Sequence, residues 1–418
     1  MSIEQIISSN KIRQQFSAAL SAMYKEEVPQ YARMVALVEK VNKEALEKNT
    51  FSFNDVDHEN LNSEHHGAIR LGTNEELFTM RRLFAVMGMQ PVDYYDLSVA
   101  GIPVHSTAFR PLSQQDLQQN PFRIFTSLLR LDLIEDRKLR EKAQTILGKR
   151  KIFSSRLIAL LEKFETNGGL TKAQVNSFIV ESLDVFRWHQ KANVDQKTYL
   201  ALKKAHGLIT DIVSFKGPHI NHLTPKTLDI DRVQLELSRQ GFNAKAVVEG
   251  PPPRKCPILL RQTSFLALQE TIEFSDGKSG THTARFGEIE QRGLALTPKG
   301  RILYDKLMQQ VRSLNVNPSD YPIQLLKAFS DFPDNHKALY DQGLAYYANR
   351  DNESDVANLD SQQKTYQDFL PVSAAGIFNS NLNDESKQEV AQSSRKKEFE
   401  EALGVSLHES SKLYESPS

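Results

Sequence analysis

Apolar residues in the first 48 positions recur with a helical period. Ile12, Phe16, Leu20 and Met23 lie three or four residues apart, and Met34, Leu37, Val38 and Val41 do the same further on. Pro29 falls between the two sets and predicts a break between two helices, because proline has no N–H to continue the ladder. Residues 49–63 are dense in Asn, Asp and Ser and predict a loop. The segment 64–70 (EHHGAIR) fits helix or strand, and a helical stretch follows over Glu75–Met89.

The period then changes. Residues 93–110 carry aromatic and β-branched residues interrupted by Gly101 and Pro103, which predicts two short strands, and Phe122–Ile134 predicts another. Residues 136–206 are helical in pattern, with Ile152–Phe164 and Val175–Phe186 separated by Gly168 and Gly169. Thr210–Phe215 reads as a strand running into a proline-bounded turn, Lys216–Pro225. Asp229–Gln240 reads as a helix stopped by Gly241, Ile258–Leu268 and Thr281–Glu290 as strands, and Thr297–Ser313 as a helix entered at Pro298. Phe369–Phe378 is a compact apolar segment. A charged helical tail follows from about 383, with fraying expected in LYESPS after Lys412.

Strands come in clusters between helical blocks, without regular βαβ alternation and without a visible repeat. That predicts an α+β fold built on a mixed or mostly antiparallel sheet. The expected organisation is one large domain over 1–380 with a helical insertion at about 136–206, then a helical tail over 381–418.

Composition narrows the function classes. The chain has 418 residues, 39% hydrophobic and 25% charged, the balance of a soluble globular enzyme. Its 52 basic and 52 acidic residues cancel, so no net field favours nucleic acid or an anionic membrane surface. No window has the run of about 18 apolar residues that spans a bilayer, and the start lacks a signal-peptide core, so a cytoplasmic location is expected. The single cysteine, Cys256, supports neither an internal disulfide nor a thiolate cluster and reads as a small buried apolar side chain.

Candidate chemistry lies in three segments. His66 and Arg70 share a face in either a helix or a strand, so an imidazole and a guanidinium can line one pocket. His219 and His222 are held between Pro218 and Pro225. Glu288 and Glu290 share one face of a strand, and Gly287 and Gly293 allow close backbone approach. Two imidazoles and one carboxylate form the ligand set that holds non-haem Fe(II) on one side and leaves the other open. Spacing leaves His65 or His66, His219 or His222, and Glu288 or Glu290 open as donors. His105 and His282 are candidates for outer support.

The ordered motifs EHHGAIR, GPHINHLTP, ARFGEIEQRGLALTPKGR and DFLPVSAAGIF, spanning 64 to 378, resemble the 2-oxoadipate dioxygenase/decarboxylase family, also called hydroxyglutarate synthases. The resemblance implies a curved sheet related to the vicinal oxygen chelate metalloenzymes. It implies Fe(II) held by His66, His222 and Glu290, with Arg70, Val372 and Ser373 binding substrate. The implied reaction, in lysine degradation, takes 2-oxoadipate and O₂ to 2-hydroxyglutarate and CO₂. Two other readings stand beside it: a vicinal-oxygen-chelate isomerase or lyase using another divalent metal, and a non-catalytic metal- or metabolite-binding protein.

Overall fold

The computed structural model describes residues 5–48, 60–314, 316–348, 359, 362–370 and 395–416. Two amphipathic helices open it. In α1 (Ser9–Glu27) the Ser8 hydroxyl accepts the Lys11 N–H, and Ile12, Phe16 and Leu20 are buried. Pro29 starts α2 (Pro29–Lys48), where its missing N–H costs nothing, so the predicted break is a helix–helix junction. α1 packs on the strand that carries His66, and α2 on the strand that carries Glu288.

The strands are β1 (Ile6–Ile7), β2 (Glu64–Leu71), β3 (Gln90–Asp96), β4 (Val104–Arg110), β5 (Arg123–Leu129), β6 (Leu170–Thr171), β7 (His222–Pro225), β8 (Leu260–Ser264), β9 (Gln269–Glu273), β10 (Ser279–Thr283) and β11 (Phe286–Arg292). Seven of them form one curled sheet in the order β3-β4-β5-β2-β7-β11-β8. The β5–β2 and β7–β11 pairs are parallel, and the rest are antiparallel. This is the mixed sheet expected from the clustered strands.

The sheet consists of two similar halves. In the first, β2 leads through the helix Asn74–Val86 to β3, β4 and β5, and β5 returns beside β2. In the second, β7 leads through the helix Ile230–Arg239 to an extended segment at 244–249, then β8, then β11 beside β7. Bridges Ala244–Phe265 and Glu249–Gln262 seat that segment next to β8, matching the place of β3 beside β4. The two lead strands, β2 and β7, meet antiparallel at the centre, with Ala68 opposite His222 and His66 opposite Thr224. His66 faces the first residue of β5 and His222 the first residue of β11, so the two histidines hold matching positions. No repeat shows in the sequence because the halves share strand order, not residues.

Several elements differ from expectation. Thr210–Phe215 is not a strand: Thr210–Ser214 lies in a helix, Gly207–Ser214, whose first turn is capped by His206 Nδ1 accepting the Leu208 N–H, and Phe215 ends it with a single bridge to Ala192. Ile209 through Ser214 are all buried, so no period marked it as helical. His222–Pro225 is a strand, not a turn, because Asn221 and Phe286 continue the ladder around it. The strand expected over Thr281–Glu290 is two strands. β10 pairs with β9 in a hairpin around Asp276-Gly277, with Gly277 at φ 78°. Close packing at Gly293, just past β11, is as expected: a Cβ there would lie 2.2 Å from the Pro257 carbonyl carbon. No helix among the described residues is long and apolar enough to cross a membrane.

The tail is docked and does not fray within the described residues. Phe399 and Leu403 join the main core, and Tyr414 is buried, donating to Asp368 Oδ2 at 2.5 Å. Asp93, at φ 57°, accepts the Ser410 N–H at 2.9 Å. Burial and then the nearby Asp368 push its carboxyl up to about 6. A folded-state pKa above the unfolded value means the fold prefers the protonated acid, so stability falls as pH rises through about 6. Asp93→Asn keeps the acceptor and tolerates positive φ. It is expected to be more stable than the parent by about 3 kcal/mol at pH 8 and nearly equal to it near pH 4, read by urea denaturation at both pH values.

Candidate metal centre

Register brings three donors to the middle of the sheet. One ligand atom each from His66 (β2), His222 (β7) and Glu288 (β11) lie within 4.8 Å of one another. His66 Nε2 is 2.9 Å and His222 Nε2 3.8 Å from Glu288 Oε1. The two imidazoles meet edge to face at 5.6 Å between centroids. All three side chains line a cavity of about 240 Å³, with Phe125, Lys245 and Phe369 among its other walls. Two nitrogens and one carboxylate oxygen at this spacing fit a first-row divalent ion bound on one side and open on the other.

Glu290, expected as the third donor, is not among the converging atoms. It is fully buried behind His66, its Oε2 2.6 Å from His66 Nδ1. Arg292, the next residue on that strand face, grips it with Nε to Oε1 at 2.7 Å and Nη2 to Oε2 at 2.9 Å. Burial alone would raise the Glu290 carboxyl, but Arg292 and then His66 hold it well below the usual range. Burial also opposes ionisation of Glu288, yet His222 and His66 pull it down to about 2. Burial pulls His222 down to about 3, so this imidazole is neutral with a lone pair to offer. Burial opposes charge on His66 as well, but Glu290 and Glu288 outweigh it and hold the imidazole above its ordinary range.

The other candidates fall into two groups. Arg70 is on the His66 side of β2, and its Nη1 donates to Asp211 Oδ2 at 2.7 Å. Asp211 is a hub. His282 Nε2 lies 2.9 Å and His219 Nε2 3.3 Å from its Oδ1, so both histidines support Arg70 through Asp211 and neither reaches the converging donors. His65 projects away from the cavity. His105 packs on Tyr94 and Phe399, apart from the site. Val372 and Ser373 lie outside the described residues. Sequence reading missed Asp211, whose signal was an acid inside the apolar run 209–213, and Gln262, which donates to Glu288 Oε1 at 2.5 Å. It also missed Arg292, which lies two residues beyond Glu290.

A sequence profile of 2-oxoadipate dioxygenase/decarboxylase matches residues 16–381. The chain belongs to the 2-oxoadipate dioxygenase/decarboxylase family. A family member from Pseudomonas putida, named 2-oxoadipate dioxygenase/decarboxylase, is 50% identical over 444 residues, covering 99% of this chain and 96% of that protein. The crystal structure of the Pseudomonas putida hydroxyglutarate synthase in complex with 2-oxoadipate matches with a TM-score of 0.88 at 50% identity, over 98% of this chain and 96% of that one. A structure assigned to the glyoxalase superfamily, from Ralstonia eutropha, matches with a TM-score of 0.51 at 19% identity, over 69% of this chain and 85% of that one. It shares the fold. The resemblance carried by the four motifs is therefore a family relationship over nearly the whole chain, and this protein is a dioxygenase/decarboxylase enzyme.

Proposed function

We propose that this family member is an Fe(II) enzyme that converts 2-oxoadipate and O₂ to 2-hydroxyglutarate and CO₂, a step suited to lysine breakdown in the cytoplasm. The observation that carries the reading is the convergence of His66, His222 and Glu288 on one cavity wall, in a chain half identical to a protein crystallised with 2-oxoadipate. Bound Fe(II) supplies a Lewis-acidic, redox-active centre for a chelating 2-oxo acid and O₂.

Each residue has a task. His222, neutral, would give one nitrogen donor, His66 would give Nε2 on releasing its proton in favour of the ion, and Glu288 would give the carboxylate. Glu290, fixed by Arg292, accepts the Nδ1–H of His66 and so leaves Nε2 for the metal, the usual carboxylate support of a ligating imidazole. On this reading Glu290, which the resemblance implies as a metal ligand, would hold His66 in place, and Glu288 would be the carboxylate toward the ion. Gln262 fixes the Glu288 carboxylate. Phe125 and Phe369 give the cavity apolar walls. Asp211 holds one side of the Arg70 fork, which leaves its other N–H groups for a substrate carboxylate.

The test is stoichiometry. Iron-loaded protein should consume one O₂ and release one CO₂ and one 2-hydroxyglutarate per 2-oxoadipate. Return of 2-oxoadipate unchanged from iron-loaded protein in air would overturn the proposal, and anaerobic turnover with another metal would favour an isomerase or lyase. Arg70→Lys keeps the charge but loses the planar fork. It should cut kcat/KM for 2-oxoadipate about 100-fold, roughly 2.7 kcal/mol, with iron content unchanged.

A further inference from the structure

We infer a second ligand site, for a small monovalent anion, in the cavity of about 40 Å³ walled by His65, Arg123, Lys226 and Arg292 behind the metal centre. It shares no described lining residue with the cavity that holds His66, His222 and Glu288. No Asp or Glu is among its described lining residues, and Asn60 and Gln367 are among the amides that fill in the wall.

Two side chains point to a missing partner. His65 is 6% exposed, faces this cavity, and has no hydrogen-bond partner on either ring nitrogen among the described residues. A buried polar group left unbonded costs about 1–3 kcal/mol. Arg123 is 1% exposed and, among the described residues, donates only to carbonyls, Nε to Pro121 and Nη1 to Gln367. No carboxylate lies within ion-pair distance of it among the described residues, and burial and then Arg292 pull it down to about 9 against the more distant Glu290 and Asp368. The Arg292 charge is already matched by Glu290. Arg123 is thus a buried cation with no carboxylate in contact among the described residues, an arrangement that is destabilising unless a charge of opposite sign completes it.

The volume sets the size of that charge. It exceeds the roughly 10–15 Å³ that one water needs, yet is too small for a six-carbon dicarboxylate. A halide or a one-carbon oxyanion such as bicarbonate fits. Glu290 links this site to the metal centre, with Oε1 3.6 Å from His65 Nδ1 and Oε2 on His66.

Crystals of the full chain soaked in sodium bromide test the inference. One anomalous bromide peak should lie within hydrogen-bonding reach of His65 and the Arg123 guanidinium. In solution, bromide should raise the melting temperature above that in gluconate at equal ionic strength. Arg123→Gln should abolish both effects, and His65→Leu serves if the first variant does not fold. Added bicarbonate that displaces the peak identifies an oxyanion as the preferred occupant, and a peak that persists identifies a halide. Wild-type density that refines as water without an anomalous signal would overturn the proposal, as would an equal bromide effect in both variants.

Discussion

Glu288→Gln should lose iron and turnover together, with activity down by about 1,000-fold or more and iron content near zero after gel filtration. The carboxylate converges with His66 and His222 on the open cavity, and its amide replacement is a poor ligand for a hard divalent ion. His66→Ala and His222→Ala should behave alike. Glu290→Gln should differ in kind. Its carboxylate supports His66 from behind, so iron affinity or activity should fall about 10- to 100-fold, the range typical of such supporting groups. Removing that charge also leaves Arg292 buried and unmatched, a loss of about 3–5 kcal/mol that urea denaturation would show. Iron retained in Glu288→Gln and absent from well-folded Glu290→Gln would reverse the two assignments.

Asp368→Ala should destabilise the fold by about 3–5 kcal/mol without touching the metal donors. Asp368 accepts from Arg110 Nε at 2.7 Å and from the Tyr414 hydroxyl at 2.5 Å, and both ion-pair partners are almost fully buried. The substitution strands the Arg110 charge and frees the tail that Tyr414 anchors. Asp368→Asn keeps a hydrogen-bond acceptor but removes the charge, so it should lie between the two. Chemical denaturation of the three proteins, together with protease sensitivity of the last helix, checks this. A loss below about 1 kcal/mol for the alanine variant would show that the buried pair does not hold the tail.

The helices were legible where one face is wet. α1, α2, the helix Ile230–Arg239 and the helix Pro298–Ser313 each bury one stripe, and periodicity found them. The helix around Asp211 is buried on every side, so its apolar run imitated a strand. Sheet order was not legible, because the central pairing joins β2 to β7 across some 150 residues and no local pattern encodes it. At the site, spacing brought out His66, His222 and the Glu288–Glu290 strand, and the motif resemblance named Glu290 as the carboxylate ligand. Period-two spacing puts both glutamates on one face and cannot rank them. What separates them in the fold is Arg292, which draws Glu290 onto itself and His66, and Gln262, which turns Glu288 to the cavity. His219 and His282 were read as rivals or helpers of the metal. Their true partner, Asp211, was visible only once the helix that carries it was placed.

The most direct test of the iron site is optical. Anaerobic Fe(II)-loaded protein should develop a visible charge-transfer band on addition of 2-oxoadipate, as a 2-oxo acid chelated through carboxylate and keto oxygen gives. The band should be missing in His66→Ala, His222→Ala and Glu288→Gln and present in Glu290→Gln. Wild-type protein that holds iron and binds 2-oxoadipate with no band would contradict the account.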